Sequence, residues 1–277
     1  MNIETIALDK LHPFEDYPFR VLRDEALQEL AASIALEGIF NPLVLRPLEN
    51  GEYEIISGHR RYEACKLAGI EEVPAIVRSI DRDAAVVMMV DDNLTQRSEI
   101  LPSEKAKAYK MKMEALRHQG KTSRQVGEKW SVSQISEAAN ESERQVHRYI
   151  RLNELEPELL NMVDEKRIAF GPAVELSYLA PQEQRDLLYT MESEDATPSI
   201  SQAQRMHRLS RDGALDMDTI FDVMREVKGN QVETIKIEST LIRQHSRRPM
   251  TPKQMKEFVI KAIEYYGRFL RSREQNR

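Results

Sequence analysis

Gly58, Arg60 and Arg61 have the residue types and spacing of an anion-binding turn. They follow a short apolar run, Ile55–Ser57, that predicts a strand, and they precede a helix-compatible segment, Tyr62–Ala68. A glycine at such a junction lets backbone N–H groups approach an anion, while the helix N-terminus and two guanidinium groups add positive charge and donors. The composition therefore predicts a phosphate pocket. A surface turn with two solvated arginines is the alternative that these residues alone leave open.

A second group of polar residues lies in residues 134–152, which have the spacing of a helix-turn-helix. Asn140 occupies the turn position that needs a left-handed backbone, and Ser142 is placed to cap the second helix. One face of that helix is apolar, and the other is basic and can reach guanine edges and phosphates in a major groove. An ordinary helical hairpin with a basic outer face is the alternative. We expect DNA contacts from Ser142, Arg144, Gln145, His147, Arg148 and Arg151.

Three sections of the chain must position these residues, and together they predict an α+β fold. Residues 1–97 alternate strand-like and helix-like pieces, which predicts a mixed α/β module that carries the phosphate turn. Residues 98–191 show helical stripes and predict an all-helical domain around the helix-turn-helix. The stretch 192–199 is rich in Ser, Thr, Asp and Pro and predicts a linker. Residues 200–277 predict a mostly helical C-terminal accessory or dimerisation region with one edge strand at 232–237.

Composition and charge exclude several classes of protein. The 277 residues are 41% hydrophobic and 31% charged, no apolar run approaches membrane-spanning length, and the N-terminus lacks a signal pattern. The single cysteine, Cys65, excludes an internal disulfide and a cysteine-based zinc framework, so we expect a cytoplasmic protein. The net charge is −6, but Arg243–Arg277 holds ten Lys/Arg against three Asp/Glu. Such a local basic surface is enough for nucleic-acid binding.

In their order along the chain, these motifs resemble the ParB/RepB family of partition proteins. The resemblance runs from about Ile6 to Leu188, which is two thirds of the chain. Several motifs in one fixed order make it specific. The segments that carry it are Leu27–Arg46, Gly58–Ala64, Asp92–Ala106 and Glu158–Ala173.

Members of this family are DNA-binding clamps that bind centromere-like sites and use CTP, with magnesium, as a gating nucleotide. The resemblance implies that Asn41 faces the base or ribose and that Asp92 assists Mg²⁺, where the family usually has glutamate. It also implies double-stranded DNA as a partner, a homodimer, and association with a nucleoid or plasmid. Whether CTP is hydrolysed to CDP stays open, and no catalytic residue is identified. The implied nucleotide site consists of Gly58, His59, Arg60, Arg61, Asn93 and Asn41.

Three departures from the family pattern bear on these expectations. His59 replaces the usual acidic residue of the Gly-Xaa-Arg-Arg turn, and Asp92–Arg97 is one residue longer than the usual motif. Both departures bear on the expected hydrolysis of CTP more than on the expected binding of CTP. The chain also starts almost at its first predicted strand, without the basic leader that engages a ParA-type ATPase in the family. The resemblance to the family is therefore the one basis for expecting a ParA-type partner, since no motif of this chain indicates it.

Three other functions fit part of the pattern. Sulfiredoxin has a related anion turn, but its chemistry needs a cysteine immediately before the His-Arg pair, where this chain has Gly58. Cys65 lies instead in an apolar helical stretch. A metal nuclease needs several convergent carboxylates, and only Asp91 and Asp92 present themselves. A helix-turn-helix transcriptional regulator on the same scaffold, without CTP switching, stays open as the alternative function.

Overall fold

The computed structural model describes residues 2–97, 99–119, 124–226, 237–245 and 250–274. The chain forms two compact units, Met1–Glu226 and Val227–Arg277. The first unit contains both candidate sites. None of the helices in the described ranges combines the length and the apolar composition that a membrane span requires.

A five-stranded sheet forms the first part of the larger unit, in the order β1-β5-β3-β4-β2. β3 is antiparallel to β4 and parallel to β5, while β2 pairs parallel to β4. Ile55 and Ile56 of β4 are fully buried on opposite faces of the sheet, so both faces are covered. The strands are Glu4–Ala7 (β1), Leu11–Pro13 (β2), Leu43–Pro47 (β3), Tyr53–Ser57 (β4) and Glu72–Val77 (β5).

Three helices cover this sheet: Glu25–Glu37 (α1), His59–Ala68 (α2) and Arg82–Gln96 (α3). α1 and α2 contribute to the apolar cluster around Ile55, and α3 contributes to the cluster around Ile56. The mixed α/β architecture predicted for the first section is confirmed. β2 was not predicted, because three residues that end in proline give no alternating pattern.

The remainder of the larger unit is helical, as predicted. α4 connects it to the sheet, since Ala108 and Ala115 pack with Met89 of α3. A different face of α4 packs Tyr109 with Val146 of α6. The helices are Pro102–Gln119 (α4), Arg124–Ala139 (α5), Glu143–Arg151 (α6), Pro157–Asp164 (α7), Phe170–Leu176 (α8), Pro181–Glu194 (α9), Ile200–Arg211 (α10) and Met217–Arg225 (α11).

The predicted linker at 192–199 does not separate two compact units. Its residues form the end of α9 and a five-residue connection to α10, in which the Ser199 side chain accepts the N–H of Gln202 as a helix cap. Met206 of α10 and Ile220 of α11 are fully buried in the same cluster as Leu187 of α9. The unit therefore extends to Glu226, past the boundary that the sequence predicted between 191 and 200. Capping residues and linker residues have the same composition, which explains the difference.

The second unit contains Ser239–Gln244 (α12) and Pro252–Glu274 (α13). α13 confirms the helix predicted from Thr251 onward. Leu241 and Ile242 of α12 and Phe258 and Ile263 of α13 line an apolar groove of about 570 Å³. The predicted edge strand lies, at residues 232–236, outside the described residues.

Candidate functional site

The turn between β4 and α2 requires a glycine. Gly58 has φ of 107° and ψ of 21°, a left-handed conformation that disfavours other residues. A Cβ atom at this position would lie 3.0 Å from Cγ of Leu43 and 3.2 Å from Nη2 of Arg61. The backbone therefore turns into α2 at a position where the side chains of Leu43 and Arg61 leave no room for a Cβ atom.

Arg60 and Arg61 both lie on the first turn of α2. Nη2 of Arg60 lies 3.2 Å from Oδ1 of Asp24, the residue that caps α1. Nη1 of Arg61 donates to the backbone carbonyl oxygens of Asn41 and, at 2.8 Å, Pro42. Asn41 is therefore brought to the turn by its carbonyl group. Burial lowers the pKa of Arg61 below its ordinary value, and the nearby Asp92 carboxylate opposes that shift.

His59, which stands between the glycine and the arginines, is buried. Its ring stacks on Tyr17 with centroids 3.6 Å apart, and Nε2 accepts the N–H of Phe14 at 3.3 Å. Burial, together with the charge of Arg97, lowers the pKa of His59 to about 3. The ring is therefore neutral with its proton on Nδ1, and Nδ1 has no hydrogen-bond partner among the described residues.

Tyr17 connects His59 to Asn93, the second part of the predicted nucleotide site. The Tyr17 hydroxyl donates to Oδ1 of Asn93 at 3.0 Å, and Nε of Arg97 donates to the same oxygen at 3.0 Å. Nδ2 of Asn93 donates to the carbonyl of Met89 at 2.8 Å. The structure thus brings the two predicted groups together through an aromatic residue that sequence reasoning missed.

Asp92 lies beside Asn93 on α3, and its charge acts on Arg61. Its neighbour Asp91 forms an ion pair with the buried ammonium group of Lys112. The described residues contain no group of three or more His, Cys, Asp or Glu side chains that could hold a metal ion by themselves. A magnesium ion bound to a nucleotide usually needs only one or two carboxylates, because phosphate oxygens and water complete its coordination. Asp92 fits that requirement.

Cys65 is fully buried on α2, as the sequence predicted for a core residue. Burial raises the pKa of its thiol, although the nearby Arg61 opposes the shift. A thiol with a raised pKa is a poor nucleophile at neutral pH. The structure therefore gives Cys65 a packing role beside the glycine turn.

The geometry of α5, the following turn and α6 agrees with the predicted turn chemistry. Asn140 has φ of 51°, and the N–H of Glu141 donates to the carbonyl of Ser136 at 3.0 Å. Oγ of Ser142 accepts the N–H of Gln145 at 3.2 Å and caps α6. Val146 on the inner face of α6 is fully buried.

The six residues predicted to contact DNA do not share one environment. Arg144 and His147 are exposed, as is Ser142 at the start of α6. Arg148 lies over the ring of Phe170 at 4.7 Å and donates to Oε1 of Gln145 at 3.1 Å.

Arg151, another predicted DNA contact, is bonded to a neighbouring element. It lies over the ring of Tyr178 at 4.3 Å, and its Nη2 donates to the carbonyl of Ser177 at 2.7 Å. These contacts attach α6 to the end of α8. In this arrangement the guanidinium of Arg151 positions the helix.

An ion pair that sequence reasoning missed fixes the turn before α6. Nζ of Lys105 on α4 lies 2.6 Å from Oε1 of Glu141 and 5.0 Å from the centre of the Tyr149 ring. Both charged side chains of the pair are mostly buried. Because the pair joins residues 36 positions apart, no local pattern could have indicated it.

The geometry defines a class of protein: a mixed α/β domain whose helix α2 opens with a glycine turn and paired arginines, followed by a helical region. Residues 1–94 match the model of the family described as ParB N-terminal domain. The chain belongs to the ParB family.

Relatives found by sequence are named as chromosome-partitioning proteins. The chain is 31% identical over 186 residues to a probable chromosome-partitioning protein ParB of Vibrio cholerae, a match that covers 67% of this chain and 59% of the relative. It is 33% identical over 183 residues to the chromosome-partitioning protein Spo0J of Thermus thermophilus, covering 66% of this chain and 62% of the relative. The chain thus spans less than two thirds of the length of these curated relatives.

Solved structures with similar chains include two of the C-terminally truncated ParB from Caulobacter crescentus. The one complexed to the centromeric parS site has 23% identity and a TM-score of 0.45, over 80% of this chain and 98% of that chain. The one complexed with CTP-gamma-S has 27% identity and a TM-score of 0.33, over 65% of this chain and 94% of that chain.

Proposed function

We propose that this protein is a site-specific DNA-binding partition protein that is gated by CTP and acts as a dimer. Membership of the ParB family supports the class of function. The single observation that carries the nucleotide site is the glycine-opened N-terminus of α2, where a turn without a side chain and two arginines lie together.

The donors around this turn fit a triphosphate. A helix N-terminus presents unpaired N–H groups and partial positive charge, and guanidinium groups bind phosphate oxygens in a bidentate manner. His59 adds a buried N–H at Nδ1 that no described residue accepts. Asn93 lies one side chain away, through Tyr17. We therefore assign Gly58, His59, Arg60, Arg61 and Asn93 to the phosphates.

The remaining parts of the nucleotide have two candidate contacts. Asn41 lies at the loop that Arg61 holds through carbonyl oxygens, and we assign it to the base or ribose. Asp92 is a carboxylate beside Arg61, and we assign it to Mg²⁺. A bound magnesium ion would neutralise part of the triphosphate charge. No residue is assigned to CTP hydrolysis.

The DNA-binding face is assigned to α6. Arg144 and His147 are exposed and can enter a major groove, while the exposed start of α6 at Ser142 suits a phosphate contact. Gln145 and Arg148 hydrogen-bond each other, and either can turn toward DNA without unfolding the helix. Arg151 holds α6 on α8 and acts on DNA through that position.

The proposed partners are double-stranded DNA and a second copy of the chain. DNA binding would place the protein on a nucleoid or a plasmid. The second unit, Val227–Arg277, is proposed as the dimerisation region. A ParA-type ATPase stays an expectation from the family.

A transcriptional regulator without CTP switching is the second candidate, and one observation favours it. Arg60 bonds to Asp24, and Arg61 bonds to Asn41 and Pro42, so both guanidinium groups already have protein partners. Because these arginines have hydrogen-bond partners within the protein, the turn needs no bound nucleotide for its stability. The two candidates therefore differ in one measurable property, the binding of CTP.

The decisive experiment is the substitution Arg61→Ala, with CTP and ATP binding measured by isothermal titration calorimetry. Loss of a bidentate, charge-assisted contact to phosphate should weaken CTP binding by about 100-fold or more. Binding to a duplex selected from random sequence by the wild-type protein should change little, because Arg61 lies on α2 and the proposed reader is α6.

Lys66→Ala is the matched control. Lys66 lies on the same helix, is exposed and pairs with Glu63, so its removal deletes a positive charge away from the turn. It should leave CTP affinity within about threefold, since a surface pair contributes little. An Arg61→Ala variant that is folded by circular dichroism and binds CTP like the wild type would eliminate the proposed pocket. A wild-type protein that binds DNA but no CTP would favour the regulator.

A further inference from the structure

Asp164, at the C-terminal end of α7, is a buried carboxylate that joins three segments of the chain. Only 5% of its side chain is exposed. Oδ1 accepts the N–H of Ser103 at 3.0 Å, and Oδ2 accepts the Ser103 hydroxyl at 2.5 Å. Oδ2 also accepts Nη2 of Arg20 at 3.1 Å. The carboxylate thus sits at the N-terminus of α4, where negative charge is stabilised, and reaches the loop before α1.

A second carboxylate fastens the same junction. Oε1 of Glu104 accepts the N–H of Arg20 at 2.6 Å, and Oε2 accepts the N–H of Leu101 at 3.0 Å. Arg20 is therefore held at its backbone by α4 and at its side chain by α7. We call Asp164, Ser103 and Arg20 the Asp164 latch.

The latch is continuous with the proposed nucleotide site. Nη1 of Arg97 donates to the carbonyl of Arg20 at 3.2 Å, while Nε of Arg97 donates to Asn93. Asn93 in turn bonds to Tyr17, which stacks on His59 at the start of α2. One unbroken series of contacts therefore leads from the glycine turn to the end of α7.

The junction around the latch borders a cleft. This cleft has a volume of about 490 Å³ and is lined by Arg20, Arg97, Glu104, Asp164 and apolar side chains such as Leu94. The cleft is partly open to solvent, so the polar side chains of the latch border a space that water can enter.

The C-terminal end of α7 is followed by the segments that contact α6, the proposed DNA-binding helix. α8 follows α7 and carries Phe170, on which Arg148 lies. The segment after α8 carries Tyr178, on which Arg151 lies. A shift of α7 relative to α4 would therefore move the support on which α6 rests.

We propose that the Asp164 latch couples the nucleotide site to the DNA-binding helix by stabilising the ligand-free arrangement. The proposal rests on the proposed function. Triphosphate oxygens accept hydrogen bonds, so they would compete with Oδ1 of Asn93 for Nε of Arg97, and with the Met89 carbonyl for Nδ2 of Asn93. Withdrawal of Arg97 from the Arg20 carbonyl removes one of the bonds that hold Arg20 in the latch. Nucleotide binding and the closed latch therefore oppose each other, and each weakens the other by the same factor.

The test is the substitution Asp164→Asn in the full chain, with CTP affinity measured in the absence and presence of the selected duplex. The neutral amide keeps the size of the side chain but weakens the bonds to Arg20 and Ser103. Because the ligand-free arrangement loses stability, CTP should bind at least about fivefold more tightly without DNA. The change in CTP affinity that the duplex causes in the wild type should shrink toward one. A purely structural role would not tighten binding.

Glu165→Gln is the matched control. Glu165 is the next residue, is exposed and pairs only at 3.4 Å with Arg167, so this variant removes a carboxylate outside the latch. Its CTP affinity should equal that of the wild type. Arg20→Gln tests the latch from its other end, with a side chain that is 51% exposed and therefore tolerant of change. It should tighten CTP binding in the same direction, even if Asp164→Asn does not fold.

The outcomes separate the latch from the proposed function. Tighter CTP binding in Asp164→Asn or Arg20→Gln, but not in Glu165→Gln, supports the latch. Wild-type CTP affinity in both latch variants, with an unchanged effect of DNA, overturns the latch and leaves the proposed function standing. A wild-type protein that binds no CTP overturns both.

Discussion

At the scale of single residues, His59 lies near Arg97, whose hydrogen bonds lead through Arg20 toward the helical part of the unit. The buried imidazole is neutral, and its neighbour Arg97 bonds to Asn93 and to the Arg20 carbonyl. An acidic side chain at this position, as the family usually has, would attract the guanidinium of Arg97. Histidine leaves Arg97 to its other partners. The neutral histidine is therefore compatible with the contacts that join the proposed nucleotide site to Arg20.

His59 should make the stability of the protein depend on pH. In the unfolded chain its pKa is 6.5, whereas burial and Arg97 lower it to about 3 in the folded protein. Between these values the unfolded state binds a proton that the folded state does not, so stability falls as the pH drops below 6.5. From pH 7 to pH 5.5 the wild type should lose about 1 kcal/mol more than His59→Gln, which has no titrating group there. Urea unfolding at both pH values measures this, and equal losses would show that His59 is protonated in the folded state.

Single residues also show which parts of the site a sequence can predict. The strand-to-helix junction at Gly58, the left-handed backbone of Asn140 and the cap at Ser142 were predicted correctly, because each depends on neighbours within a few positions. The ligand contacts of Gly58 and Ser142 stay predictions. Tyr17 and Asp164 were missed, because their partners lie 76 and 61 positions away. No local pattern reports such contacts.

At the scale of elements, α6 shows how one basic helix face can have two environments. The sequence predicted a continuous basic face, since the helical period places its arginines and His147 on one side. The structure divides that face along its length. Arg144 at the first turn is exposed, whereas Arg151 at the last turn is bonded to the end of α8. The helical period predicts which residues share one face of a helix. It does not predict which part of that face a neighbouring element covers.

Arg144→Ala and Arg151→Ala should therefore affect different properties, DNA affinity and folding stability respectively. Arg144→Ala should weaken binding to the selected duplex by about 1–3 kcal/mol if the arginine contacts a base, with little change in the free energy of unfolding. Arg151→Ala should lower the free energy of unfolding by about 1–3 kcal/mol, because it removes a hydrogen bond and a cation–π contact. Fluorescence anisotropy and urea unfolding of both variants provide the comparison. A stable Arg151→Ala variant with a greater loss of DNA affinity than Arg144→Ala would reverse the assignment.

At the scale of the whole molecule, each unit has buried apolar side chains and exposed ones. The larger unit has a continuous series of apolar clusters, and the sequence predicted its α/β beginning and helical continuation but not its extent to Glu226. The extent depends on packing between helices far apart in sequence, which composition does not report. In the second unit, α13 leaves large side chains of one face in solvent, with Ile263 65% and Tyr266 60% exposed. Clustered apolar exposure of this kind marks an association surface.

We expect a second copy of the chain to bind to α13. Disruption of the apolar surface of α13 should therefore give monomers. Ile263 and Tyr266 line the apolar groove beside α12, and self-association through a twofold axis would bury two such surfaces at once. Ile263→Glu places a charge in that surface and should shift a dimer to a monomer in sedimentation velocity experiments, as should a chain that ends at Glu226. Lys261→Glu on the same helix is the matched control, since Lys261 is exposed and is not one of the groove residues, and it should remain dimeric. Dimers that persist in the chain ending at Glu226 would place the association surface in the larger unit.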